Sequence, residues 1–286
     1  MAIKFVDVMA DFWQFWSASE GPPDAEKIER FRQSVVAPYQ TLFDSVQWFE
    51  KLLQDEHLLD YFTKITPLID QMKLLDTQLR QNWASDWAKF IGLFPDMAWS
   101  GTVYMMPSLF CFDGRVQEVG GQVSLLLGVD VMAWLKQTNL TPFLHHEWTH
   151  LYHAQVVPDI VEKRLFWALW SEGLAVYVSR RLNLTANFTE ILLTPELVTR
   201  TEELLPKIAA ELLDKIDSEQ REDYADFFFG RIERTDIPAR SGYHIGLRVV
   251  THLSERYTLP ELLRLTGDPL RHEITVVLKT LTYCHS

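Results

Sequence analysis

One stretch constrains the fold of this 286-residue chain more than any other: Leu165 to Val178, which reads LFWALWSEGLAVYV. It has the length of about four helical turns and is apolar on nearly every side, so a helix here must be central and covered all round. The chain can supply that cover, since 47% of its residues are hydrophobic and it carries 10 Trp and 17 Phe. The difficulty is Glu172. A lone carboxylate in such a helix is costly unless something compensates its charge. The compensation is either an arginine, such as Arg164 or Arg180, or a bound cation.

The second constraint precedes the first: His146-Glu147-Trp148-Thr149-His150. Thr141 can cap a helix with Pro142 at its first position, and Pro158 follows its end. On that helix, expected to be amphipathic, His146 and His150 are four apart and project from one face a single turn apart. Two imidazoles so placed can grip one Zn²⁺ at about 2.0–2.1 Å each. Glu147 is rotated by about 100° around the helix. It stands beside the metal rather than on it, where the base for an activated water belongs. A third protein ligand is needed, and Glu172 is the better candidate, with Gly173 beside it expected to let the metal helix approach closely. His153 shares the face of His146 but lies seven residues on, roughly 10 Å along the axis at 1.5 Å per residue. It reads as a supporting neighbour of the ligands or a surface residue.

The remaining pattern places these two helices in an α+β, mostly helical chain. Residues 1–97 read as helices, with Phe5, Val8, Met9, Phe12, Trp13 and Trp16 at helical spacing. Gly21-Pro22-Pro23-Asp24 marks a break and an N-cap, and a long helical stretch to about Leu59 is divided near Pro38. Pro67 opens another helix to about Phe90. Thr102 to Met106 is strand-like, and 114–125 looks like paired strands with glycine-rich turns, continued by 126–130. This is the one β region expected, a small mixed or antiparallel sheet. Helices follow to the end, interrupted by Pro206, Gly230, Pro238, Gly267 and Pro269. The expected organisation is an N-terminal helical region, 1–98, packed on a catalytic part, 99–286. That part contains the sheet at 101–130, the active-site helix at about 142–157 and a helical C-terminal half.

The two histidines of the His-Glu-x-x-His segment, followed 22 residues after His150 by Glu172 in a Trp-Ser-Glu-Gly-Leu-Ala-x-Tyr setting, resemble the gluzincin clan of zinc metallopeptidases. Within it the chain resembles a bacterial group of predicted zinc-dependent proteases. The likeness extends to the sheet at 101–130 and to Ser241-Gly242-Tyr243-His244-Ile245-Gly246, covering roughly 99–270. It implies a zincin-like fold, an active-site helix under a small sheet with the cleft between sheet and helical half. An edge strand within 115–127 would pair with an extended peptide, an ordinary covered edge being the plain alternative. It also implies one Zn²⁺ on His146, His150 and Glu172, with Glu147 as base. Tyr243 is the candidate oxyanion donor by resemblance to tyrosines of the clan, and His244 is the alternative. Simple packing of Tyr243 on the helix starting near Gly242 is the competing reading. Arg240 could hold a substrate carboxylate or stand solvated. Two departures matter: the gap from His150 to Glu172 is slightly longer than in the best-known members, and no Gly-x-Met-Glu-Asn segment is present to hold a substrate's amino terminus.

Charge and cysteine content limit the partners. The net charge is −12, so no basic excess exists to displace phosphate counterions, and a nucleic-acid partner is not expected. Cys111 and Cys284 cannot build a disulfide framework or a cysteine-rich zinc site. No stretch approaches the ~20 apolar residues of a membrane helix, and the first 20 residues lack the features of a secretory leader. The expected protein is therefore a cytoplasmic zinc hydrolase acting on a peptide or protein, as a metalloendopeptidase. Two alternatives remain: an aminopeptidase or short-peptide peptidase, and a zinc-containing peptide-binding or regulatory protein without turnover.

Overall fold

The computed structural model describes residues 3–19, 21, 24–158, 162–191, 193–229 and 234–283; Cys284, Pro22, Pro23 and Gly230 lie outside them. The chain is α+β, mostly helical, with one four-stranded mixed sheet among the described residues. It divides into two compact units, Met1–Leu140 and Thr141–Ser286. The boundary expected near residue 98 falls inside the first unit.

The first unit begins with β1 (Lys4–Asp7) and α1 (Val8–Ala18), where Asp7 turns strand into helix by accepting a hydrogen bond from the Ala10 amide at 3.0 Å. This strand corrects the all-helical reading of 1–97. Phe5 belongs to β1, and only from Val8 onward does the apolar spacing describe a helix. Four residues are too few to display a strand period, and the partner of β1 is remote: Lys4 pairs with Thr102. Asp24 caps α2 (Ala25–Phe31) as expected, accepting from the Lys27 amide at 2.8 Å. Around Pro38 the chain passes through one π turn and one 3₁₀ turn, then α3 (Gln40–Asp44), α4 (Phe49–Leu52) and α5 (Asp55–Ile65). The expected long helix is thus several short ones. Pro67 lies in a 3₁₀ turn that leads into α6 (Ile69–Leu93).

Strands β2 (Thr102–Met106), β3 (Gly114–Val119) and β4 (Gln122–Gly128) complete the sheet in the order β1-β2-β4-β3. β1 and β4 flank β2 in parallel, and β3 joins β4 as an antiparallel hairpin over Gly120 and Gly121, both at positive φ. Of the 115–127 segment, β3 forms an edge of the sheet, whereas β4 is interior. β4 ends at Gly128, and 129–130 open α7 (Val129–Trp134) instead of prolonging the strand.

Asp130, at the start of α7, is fully buried. It accepts hydrogen bonds from the Ser108 amide (2.9 Å) and the Phe110 amide (3.0 Å), in a turn where Leu109 and Phe110 both adopt left-handed backbone. Ser108 Oγ lies 2.7 Å from the Phe112 carbonyl and 2.8 Å from Asp130 Oδ1. A hydroxyl has one hydrogen, so Ser108 shares it between these two acceptors. Burial pushes the Asp130 carboxyl above its usual range, against the donors of Phe110 and Ser108.

The second unit is helical: α8 (Thr141–Val156), α9 (Leu165–Leu182), α10 (Pro195–Glu203), α11 (Leu205–Asp214), α12 (Arg221–Phe228), α13 (Ser241–Leu253), α14 (Leu259–Leu262) and α15 (Gly267–Leu281). α9 is buried on most of its faces, as its composition requires. So is α8, which corrects the amphipathic expectation: its polar residues His145, His146, Glu147, Thr149 and His153 are internal. Ser179 of α9 donates to the Pro142 carbonyl of α8 at 2.7 Å, and Asn183 Nδ2 lies 2.8 Å from His145 Nδ1. The first amides of α9, at Leu165 and Phe166, are satisfied by the carbonyls of Ser218 and Ile216. No described helix is long and apolar enough to cross a membrane.

Candidate metal centre

Two interior helices deliver the three groups singled out in the sequence. His146 Nε2 and His150 Nε2 project from adjacent turns of α8 and stand 3.1 Å apart. Glu172 Oε2, from α9, lies 3.2 Å from the first and 3.5 Å from the second. Among the described residues this is the one group of three such side chains whose ligand atoms converge. Neighbouring ligands of a tetrahedral zinc, at about 2.0–2.1 Å from the ion, stand about 3.3 Å apart. The observed triangle has that size. Two ring nitrogens and a carboxylate oxygen this close are held together either by protons on the imidazoles or by a metal ion.

The charge problem of Glu172 is resolved by these histidines rather than by arginine. Arg164 pairs with Glu162 at 2.6 Å and with Asp217 at 3.6 Å, and Arg180 lies over the Phe188 ring. Burial alone would raise the Glu172 carboxyl, but His150 and His146 outweigh it and hold the group well below the usual carboxylate range. The partner shift is reciprocal: burial opposes a charge on His150, yet Glu172 and then Glu147 push its imidazole up to about 9. In the protein without metal, a proton on His150 therefore does part of what the cation would do.

Ser171 was not foreseen. Its Oγ stands 3.2 Å from His150 Nδ1, and with Nε2 turned into the triangle, Nδ1 carries the hydrogen and donates to that hydroxyl. Such a partner fixes the tautomer and plane of a ligand imidazole. The signal was present in the sequence as a hydroxyl directly before the ligand carboxylate. Glu147 is buried on α8, 6% exposed, and close enough to His150 to raise its pKa.

The expected contact of Gly173 with the metal helix is not the one formed. A Cβ on Gly173 would meet backbone atoms of Gly246 at 2.3–2.6 Å, and one on Gly246 would meet the Leu169 carbonyl oxygen at 2.5 Å and Gly173 Cα at 2.8 Å. Gly173 thus lets α9 touch α13, not α8. This crossing brings Tyr243 to the site: its ring centroid is 6.1 Å from that of His146, and Phe228 supports it edge-on at 5.7 Å. Tyr243 also packs against the cluster of Val176, Ile191, Leu193, Leu197 and Leu247.

The other candidates are placed differently. His153 is outside the triangle, stacked on Trp167 at 5.1 Å with its Nε2 buried and unpartnered. Burial, then the neighbouring His150, lowers its pKa to about 4. His244 commits its Nε2 to Glu202 Oε1 at 2.5 Å. Arg240 stands at the N-cap position of α13 in left-handed backbone (φ 66°, ψ 15°), makes no side-chain cap hydrogen bond, and places its guanidinium over the Tyr243 ring at 4.7 Å. For a residue with a Cβ that conformation costs about 1–2 kcal/mol.

Compared with protein-family models, curated proteins and solved structures, the chain matches none of them. Functional inference therefore rests on the site itself.

Proposed function

We propose that the chain is a zinc-dependent peptide hydrolase, an intracellular metalloendopeptidase of zincin-like build, in which His146, His150 and Glu172 hold one Zn²⁺. The observation that carries this reading is the triangle of ligand atoms, with sides of 3.1, 3.2 and 3.5 Å, next to the buried carboxylate of Glu147. Three protein ligands suit a catalytic rather than a structural zinc, since structural sites are closed by four. A bound Zn²⁺ supplies an electrophile that brings the pKa of water to about 7 and polarises a carbonyl. Glu147 accepts the proton of the attacking water and returns it to the leaving nitrogen. Tyr243, held beside His146, donates its hydroxyl to the developing oxyanion. An acidic chain with two cysteines fits a reducing, cytoplasmic setting.

Zinc analysis combined with an internally quenched peptide library, blocked at both ends, tests the assignment. One zinc per chain is expected, with cleavage that a chelator abolishes and zinc restores. Glu147→Gln should retain zinc and lose roughly 10²–10⁴-fold in rate, the range for removal of a general base. Undiminished cleavage by that variant refutes the assignment. Cleavage confined to peptides with a free end moves the reading to an aminopeptidase or short-peptide peptidase. Zinc without cleavage of any peptide makes the chain a binding or regulatory protein.

A further inference from the structure

The turn that precedes α13 carries two arginines with opposite surroundings. Arg234 gathers three carboxylates: Glu211, Asp226 at 2.8 Å and Asp236 at 3.2 Å. Arg240, six residues on and half-buried, has no carboxylate of any described residue within ion-pair distance, in a chain with 39 Asp and Glu. Its guanidinium lies over the face of Tyr243. A guanidinium held over an aromatic ring keeps its charge, and its N–H donors can receive a carboxylate through two parallel hydrogen bonds. Tyr243 in turn lies against His146. The two contacts in series span no more than about three residues of extended peptide at ~3.3–3.6 Å per residue. The backbone points the same way: glycine or asparagine would adopt the left-handed conformation at 240 with less strain, and an arginine stands there instead.

We infer that Arg240 is a specificity residue that binds a substrate carboxylate within about three residues of the scissile bond. The inference rests on the metallopeptidase reading of the same site. The carboxylate belongs either to an Asp or Glu side chain or to the free C-terminus of a short peptide, and both present the same two oxygens to the guanidinium.

The test uses the zinc-loaded full chain and two substrate series. In one, a single Glu is moved through the three positions on each side of the cleaved bond and compared with Gln at the same place. In the other, short peptides with a free C-terminal carboxylate are compared with their amides. The wild type should prefer the carboxylate by roughly tenfold or more in kcat/KM at one position or at the terminus, a ratio in the range of a charge-assisted hydrogen bond. Arg240→Gln should bring that ratio close to one, and Arg240→Glu should reverse it toward Lys at the same position, a change that loss of folding cannot produce. A Glu-to-Gln and acid-to-amide ratio within about twofold everywhere, or a ratio that survives Arg240→Gln, overturns the inference while leaving the peptidase reading intact. If the wild type binds zinc but cleaves nothing, the peptidase reading fails, and calorimetric binding of a peptide hydroxamate carrying Glu or Gln still decides the role of Arg240. Tighter binding of the Glu form, lost in Arg240→Gln, supports it. Equal binding overturns it.

Discussion

Asp130 in the first unit and Glu172 in the second are both acids embedded in apolar helical surroundings, and their environments drive them in opposite directions. Asp130 is met by two backbone amides and a serine hydroxyl from the 108–110 turn, and Ser108 shares its one hydrogen between the acid and the Phe112 carbonyl. Its pKa is raised. Glu172 is met by two imidazole nitrogens, and its pKa is lowered. Burial is common to both and cannot explain the difference. Neutral donors that belong to one turn hold an acid as an internal brace. Basic groups that can exchange a proton for a cation make it a group that could hold a metal ion.

The comparison breaks most visibly at the metal. Glu172→Ala should lose most bound zinc, by more than the ~10–100-fold seen when only an outer partner of a metal ligand is removed, whereas Asp130→Ala should retain wild-type zinc stoichiometry. Full zinc in Glu172→Ala, measured by elemental analysis after dialysis, would place the third ligand elsewhere. The converse effect is in stability. Asp130→Ala leaves the Ser108 and Phe110 amides without their acceptor, at about 1–3 kcal/mol each, and should lower unfolding free energy by about 2–5 kcal/mol in denaturant titrations. A loss below ~1 kcal/mol would show that the turn does not depend on the acid.

The two acids also differ, by smaller amounts, in how pH acts on them. His150 has a folded-state pKa near 9, above its ordinary 6.5, so its contribution to the stability of the metal-free protein is fully present below pH 6.5 and lost as pH rises toward 9. Zinc must displace that proton, so its affinity should rise over the same interval. The Tm of chelator-treated protein should therefore fall between pH 6.5 and 9 while the stabilisation added by zinc grows. Parallel trends with and without zinc would exclude the His150–Glu172 pair as the titrating element. The Asp130 contribution has its own window: its raised pKa means stability is present below about pH 4 and lost as pH rises through the folded-state value.

The centre of the site was legible in the sequence because it is local. His146 and His150 are one turn apart, and Glu172 betrays itself as a single charge in an apolar helix. Other parts depend on pairings that no local pattern carries. β1 has four residues and a partner strand at Thr102–Met106. The brace at Asp130 uses main-chain amides of a turn whose left-handed residues are Leu109 and Phe110, neither a residue that announces such a conformation. Gly173 was recognisable as a point of close approach, but sequence adjacency to Glu172 suggested α8, whereas the neighbour is α13 through Gly246. Helix α8 looked amphipathic because His145, Thr149 and His153 count as polar, although all three are internal.

The contact between Gly173 and Gly246 has a consequence for how this site tolerates change. Where two helices meet through side chains, each substitution in the interface shifts their separation. Here the closest approach is main chain to main chain, so a side chain at either glycine would push α9 away from α13, and Glu172 away from Tyr243. Two residues without side chains thus act as the datum from which the rest of the centre is measured.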